Sequence, residues 1–167
     1  YFNRSIIFPL RQKNTKDTAV IVVLSAILFN IVNGFINGYY LGSQSFVQNQ
    51  YENYFTSYNF IFGLIIFLLG AYINIRSDEI LFNIRKNNDG YKIPQSFLYK
   101  YISCPNYFGE IIEWSGFAIM VWNFPSFIFV LWTIFNLVPR AVAHHKWYKT
   151  KFEDYPSNRK AIIPFIL

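Results

Sequence analysis

All fifteen Lys and Arg residues of this chain fall in three groups separated by long apolar runs. Arg4, Arg11, Lys13 and Lys16 form the first group. Arg76, Arg85, Lys86, Lys92 and Lys100 form the second, and Arg140, Lys146, Lys149, Lys151, Arg159 and Lys160 the third. Between and beside them lie four apolar segments of about bilayer length: Thr18–Tyr40, Tyr58–Ile75, Tyr107–Trp122 and Phe124–Val142, the last extended by a polar helix toward Phe152. Four crossings place every basic group on one side, whereas the connections 41–57 and 123–126 on the other side hold neither Lys nor Arg. A wrong number of spans would scatter those charges. The pattern therefore predicts an all-α fold, a polytopic transmembrane helix bundle with its basic side in the cytosol.

Composition agrees with that class. The chain is 53% hydrophobic and only 14% charged, whereas an ordinary soluble domain carries about 25% charge. Tyr39, Tyr40, Tyr51, Tyr54 and Tyr58 cluster on the uncharged side and Trp122 marks the third exit, as interfacial rings do. The net charge of +6 is laid against membrane ends, which points to lipid headgroups or a phosphorylated cofactor and away from nucleic acid. The chain opens without Met or a signal-peptide pattern, and Ile6–Leu10 reads as the tail of an earlier apolar segment. The expectation is the C-terminal part of a longer, single membrane-embedded domain. Cys104, with no second cysteine to pair with, is expected to be a packing residue.

Function enters through polar residues inside the apolar pattern. Asn106, Glu110 and Glu113 fall within an arc of roughly 60° at about 100° per residue. A charged side chain at the bilayer centre costs on the order of 2.5–3.5 kcal/mol on insertion scales, so that stripe must face protein, water or a ligand. Asn74, Asp78 and Arg85 form a second stripe if the second span continues as helix past the membrane. Arg140, His144, Tyr148 and Lys151 form a third. Three stripes at the cytosolic end of three helices describe a polar pocket, although a single intramembrane acid often serves only to pair with a neighbouring cation.

The pocket's chemistry narrows its ligand. His144 and His145 are adjacent, so their rings point about 100° apart, and no metal-ligand spacing appears; no metal is expected. Neither a Rossmann glycine turn nor a P-loop is present. Arg85, Lys86 and Lys92 surround the turn Asn87-Asn88-Asp89-Gly90, where cations could hold phosphates or simply follow the positive-inside pattern.

Several segments resemble the steroid 5-alpha-reductases, in order and across nearly the whole chain. They are Gly70–Asp78, Leu81–Lys86, Gly90–Pro94, Asn106-Tyr107-Phe108-Gly109-Glu110-Ile111-Ile112-Glu113-Trp114, His144–Tyr148, Phe152–Pro156 and Arg159–Phe165. The resemblance implies a seven-helix reductase of the endoplasmic reticulum that transfers hydride from NADPH to C5 of a 3-oxo-4-ene steroid while a polar pair polarises the C3 carbonyl. It implies a catalytic role for Tyr1, as the donor to that carbonyl, with a glutamate partner lying upstream of this chain. It also implies NADPH contacts from Asn74, Asp78, Asn106, Glu110, His144 and Tyr148, the amides and Glu110 nearer the nicotinamide. Arg85, Tyr91 and Lys92 would lie near the phosphates and adenosine, and Arg140 and Arg159 would support the cytosolic cap. The chain departs from the family at Ser25 and at Lys92, where arginine is usual.

The alternatives are a trans-2-enoyl-CoA or polyprenol reductase of the same architecture, a membrane S-adenosylmethionine-dependent methyltransferase, and a non-catalytic sterol-binding protein. Membrane lipids are expected partners in each case.

Overall fold

The computed structural model describes residues 20–43, 54–86 and 92–167, and within them four α-helices: α1 (Val20–Leu41), α2 (Tyr58–Lys86), α3 (Pro105–Val121) and α4 (Phe124–Lys151). Short 3-10 turns cover Tyr54–Thr56 and Phe97–Lys100. The chain divides into two units at Ile36, within α1. Taken by itself, α1 exposes apolar side chains over most of its surface, Val20, Leu24, Leu28 and Phe35 among them. Such a helix is stable only in lipid or against other helices.

Three helices among the described residues are long and apolar enough to cross a membrane: Val23–Leu41 within α1, α2, and α4. The remaining expected span, Tyr107–Trp122, corresponds to α3, which at 17 residues reaches about 25 Å at 1.5 Å per residue, short of the roughly 30 Å hydrocarbon core. Pro105 sits in its first turn, where a missing N–H is harmless. At the other end, Trp122 closes α3 in the left-handed conformation, with φ of 44°. Asn123 then caps α4, its Oδ1 accepting from the Ser126 N–H at 2.9 Å. This two-residue connection turns α3 directly back into α4.

The expected continuation of the second span holds. α2 runs unbroken for 29 residues, so Asn74, Asp78 and Arg85 share one helix beyond the apolar stretch. Its packing on α3 rests on glycine. Gly63 and Gly70 on α2, and Gly109 and Gly116 on α3, each stand seven residues apart, and the antiparallel helices pair Gly63 with Gly116 and Gly70 with Gly109. A Cβ placed on Gly63 would lie 2.6 Å from the Met120 amide nitrogen and 2.7 Å from the Gly116 oxygen; one on Gly109 would lie 2.5 Å from the Asn74 amide nitrogen. Backbone therefore meets backbone along the whole contact. In lipid, where apolar side chains gain nothing by leaving the solvent, such close approach is how helices associate.

α3 meets α4 with larger residues. The Trp114 ring stands edge-on to Phe129 at 4.6 Å, and Cys104, Ala141 and Ile162 form a buried cluster with Tyr107, Phe108, Ile111 and Val138 packed against it. Cys104 is thus a packing residue, as its sequence context suggests.

Candidate functional site

The polar site grows out of the glycine contact. One turn beyond Gly70, Asn74 lies against Gly109, and one turn further Asp78 faces the start of α3. There the Asn106 amide donates from Nδ2 to Asp78 Oδ1 at 3.2 Å. Asn74, Ser77 and Asp78 are all buried. The same close approach that excludes Cβ atoms at Gly70 and Gly109 brings these polar groups of α2 and α3 together.

α4 supplies the second wall. Its buried residues Val130, Thr133, Leu137 and Ala141 lie on the azimuth that His144 and Tyr148 continue toward the basic end, while exposed Arg140 stands to one side of it. The Tyr107 ring on α3 stands 6.1 Å from the His144 ring, while Tyr148 is buried and stacked on Tyr155 at 5.4 Å. Glu110, half-buried, follows Asn106 by one turn, and helical geometry sets it between the side of α3 that meets α2 and the side that meets α4.

The floor was not legible from the stripes. Tyr99 is almost completely buried, and its hydroxyl donates to the Ser77 carbonyl oxygen at 3.3 Å. Burial drives its phenol well above the usual range; nearby Asp78, Cys104 and Tyr148 add to the shift and Arg85 opposes it. The phenol therefore stays protonated and acts only as a hydrogen-bonding group. Tyr99 thereby ties the loop before α3 to the stretch of α2 that carries Asp78.

A cap of three segments closes this end. The backbone at 101–104 pairs with that at 160–161: Lys160 N–H donates to the Tyr101 oxygen at 2.9 Å, Ser103 N–H to the Lys160 oxygen at 2.8 Å and Cys104 N–H to the Ala161 oxygen at 3.1 Å. At the hub, Ser103 Oγ lies 2.6 Å from His145 Nδ1, 2.6 Å from the Tyr155 hydroxyl and 3.0 Å from the Lys160 oxygen. A hydroxyl has one proton and two lone pairs. All three contacts are satisfied if Ser103 donates to Lys160 while Tyr155 and the Nδ1–H of His145 donate to Ser103. Arg159, also buried, donates from a guanidinium N–H to the Pro94 oxygen at 3.1 Å and lies over the Tyr155 ring at 5.0 Å. The structure thus builds Arg159 into the cap.

Of the residues singled out in the sequence, Asn74, Asp78, Asn106, Glu110, His144 and Tyr148 gather at the end of the α2–α4 bundle, with exposed Arg85 at its rim. Lys92 is exposed. Tyr1 and Tyr91 lie outside the described residues. Sequence reasoning missed Tyr99 and the Ser103–His145–Tyr155 hub, whose partners are distant in the chain. It also missed the paired seven-residue glycine spacings, which were visible.

These features define a helical membrane protein in which α2, α3 and α4 bring polar residues together at one end. The model of the family described as 3-oxo-5-alpha-steroid 4-dehydrogenase matches residues 16–167. The chain is 45% identical to a steroid 5-alpha-reductase of Gossypium hirsutum, over 99% of this chain and 66% of that protein. It is 44% identical to 3-oxo-5-alpha-steroid 4-dehydrogenase 1 of Rattus norvegicus, over 100% of this chain and 64% of that protein. The human protein of the same name is 40% identical over 99% of this chain and 63% of its own length. The chain belongs to the 3-oxo-5-alpha-steroid 4-dehydrogenase family, and it spans a little under two thirds of the length of these curated relatives.

Proposed function

We propose that the full-length protein is an NADPH-dependent oxidoreductase of the endoplasmic reticulum membrane that reduces the 4,5 double bond of a 3-oxo-4-ene steroid, with the cofactor groove opening to the cytosol. The observation that carries this reading is the Asn106–Asp78 contact at 3.2 Å. It draws a half-buried amide onto a buried carboxylate in a family whose named members act on such steroids.

The residues present fit a dinucleotide. Asn74, Asp78, Asn106 and Glu110 offer the mixed donors and acceptors that a carboxamide and a ribose require, and Arg85 and Arg140 offer cations for phosphate. NADPH, when bound, supplies the hydride. The chain's residues orient and exclude water: Asn106 is held by Asp78, Tyr107 and His144 form a ring wall, and Tyr148 packs the far side. Tyr1 would donate to the C3 carbonyl and stabilise charge that develops on its oxygen in a dry site.

The test is to express the complete protein in membranes and follow NADPH loss with a 3-oxo-4-ene steroid, an enoyl-CoA and a polyprenol offered separately. Loss with the steroid alone supports the proposal. Turnover of the enoyl-CoA or polyprenol instead assigns a sibling reductase activity, and steroid binding without NADPH oxidation assigns a binding protein.

A further inference from the structure

The exposed side chains of the cap change character abruptly along the chain. From Lys149 to Asn158 every exposed residue is polar: Lys149, Thr150, Lys151, Glu153, Asp154, Ser157 and Asn158. From Ile163 onward every exposed residue is apolar, namely Ile163, Phe165, Ile166 and Leu167, with Phe165 78% and Ile166 75% exposed. Exposed Tyr101 joins them, its ring 5.6 Å from that of Phe165.

This apolar group is held in place. The Leu167 oxygen accepts from the Ile162 and Ile163 N–H groups at 2.7 and 2.8 Å, and the Leu167 N–H donates to the Ile163 oxygen at 3.1 Å. Phe165 occupies the left-handed region, with φ of 66°, a conformation that costs a non-glycine residue energy and persists only where the surroundings impose it. The strain presents an aromatic ring outward, where a soluble cap would carry a polar side chain.

Position and charge identify what covers it. Residues 101–104, immediately before Pro105, the first residue of α3, pair with residues 160–161, just ahead of the turn, so the turn lies beside the start of that helix. Exposed Lys100 adjoins Tyr101, and the Lys160 backbone is bonded to it. An aromatic and aliphatic tip flanked by lysines matches the boundary between headgroups and acyl chains on an anionic leaflet. We propose that the turn 163–167, with Tyr101, is an interfacial anchor that seats the cap in the anionic cytoplasmic leaflet of the membrane the bundle spans. This goes beyond the reductase reading and does not depend on it.

The test uses the full-length protein in phosphatidylcholine–phosphatidylserine nanodiscs, with an environment-sensitive thiol label on Phe165→Cys, on Ile166→Cys and, as a wet reference, on Asn158→Cys. Within the chain, native Cys104 stays silent, because burial raises its thiol pKa to about 12 and leaves almost no reactive thiolate; any cysteine upstream of the chain is replaced first. Labels at 165 and 166 are expected to be quenched by nitroxide lipids and shielded several-fold from aqueous iodide relative to 158. Replacing the phosphatidylserine by phosphatidylcholine should weaken both effects. Equal iodide access at all three positions overturns the proposal. So does shielding without lipid quenching, which would mean that protein covers the tip.

Discussion

Replacing Gly109 by alanine tests the contact that assembles the site. The new Cβ would stand 2.5 Å from the Asn74 amide nitrogen and 2.8 Å from the Gly70 oxygen, where ordinary contact is 3.4–4 Å. Both obstacles are backbone, so no side chain can rotate away, and α2 and α3 must part by roughly 1 Å. Overpacking typically costs 1–3 kcal/mol, and a rigid obstacle argues for the upper end, about 3 kcal/mol. Alanine returns about 1 kcal/mol of helix propensity, leaving a net loss of about 2 kcal/mol. Gly34→Ala in α1 is the control, because among the described residues nothing lies within 4 Å of its added Cβ, and it should gain up to about 1 kcal/mol. Denaturation midpoints in lipid–detergent micelles measure both. Gly70→Ala combined with Gly109→Ala should cost less than the sum of the two single changes, since helices already parted accommodate the second methyl. A Gly109→Ala variant as stable as wild type, or a fully additive pair, refutes the packing argument.

Four further outcomes follow from the site and its cap. Asn106→Ala removes the donor to Asp78 and should raise the Michaelis constant for NADPH about tenfold or more, equivalent to about 1.4 kcal/mol, with a smaller effect on the unfolding midpoint; an unchanged constant removes Asn106 from the cofactor groove. Glu110→Gln and Tyr148→Phe in the full-length protein should each slow NADPH-dependent reduction, and wild-type rates from both would reject their assignment to the groove. Ser103→Ala strips partners from His145, Tyr155 and the Lys160 carbonyl at once and should destabilise the cap by about 2–3 kcal/mol, read as faster hydrogen exchange at 101–104 and 159–162. Phe165→Gly should relieve the left-handed strain and raise stability in detergent by about 1 kcal/mol, while abolishing lipid quenching from a label at Ile166→Cys.

The arrangement of charge made the topology legible. Basic groups on alternate connections fixed which ends lie together, and the helices α2, α3 and α4 obey that order. The stripes on α2, α3 and α4 were legible for the same reason: helical periodicity is local, and Asn74 and Asp78 needed only an unbroken α2 to share a side. What periodicity could not give was contact between segments distant in sequence. Ser103 meets residues 42, 52 and 57 positions away, and Tyr99 reaches Ser77 across 22, so neither pairing leaves a periodic trace. The glycine spacing did leave one, but a glycine signals close approach only once the facing glycine is known.

The helix contact and the cap act on the same groove from opposite directions. In lipid there is little hydrophobic gain to hold α2 against α3, so their alignment depends on dense packing; the Gly70–Gly109 pair fixes it one turn from Asn74 and two from Asp78. That alone would leave the start of α3 free to swing about the glycine contact. Tyr99 opposes the swing by bonding to the Ser77 carbonyl, and Ser103 opposes it by binding the loop before α3 to His145 on α4. Asp78 and Asn106 thus lie between a rigid backbone contact below and a hydrogen-bonded cap above, which holds their polar groups in place without setting them on a mobile loop. Gly70→Ala should depress cofactor-dependent activity more than Gly63→Ala, because Gly63 meets Gly116 and Met120 two turns further from the polar groups.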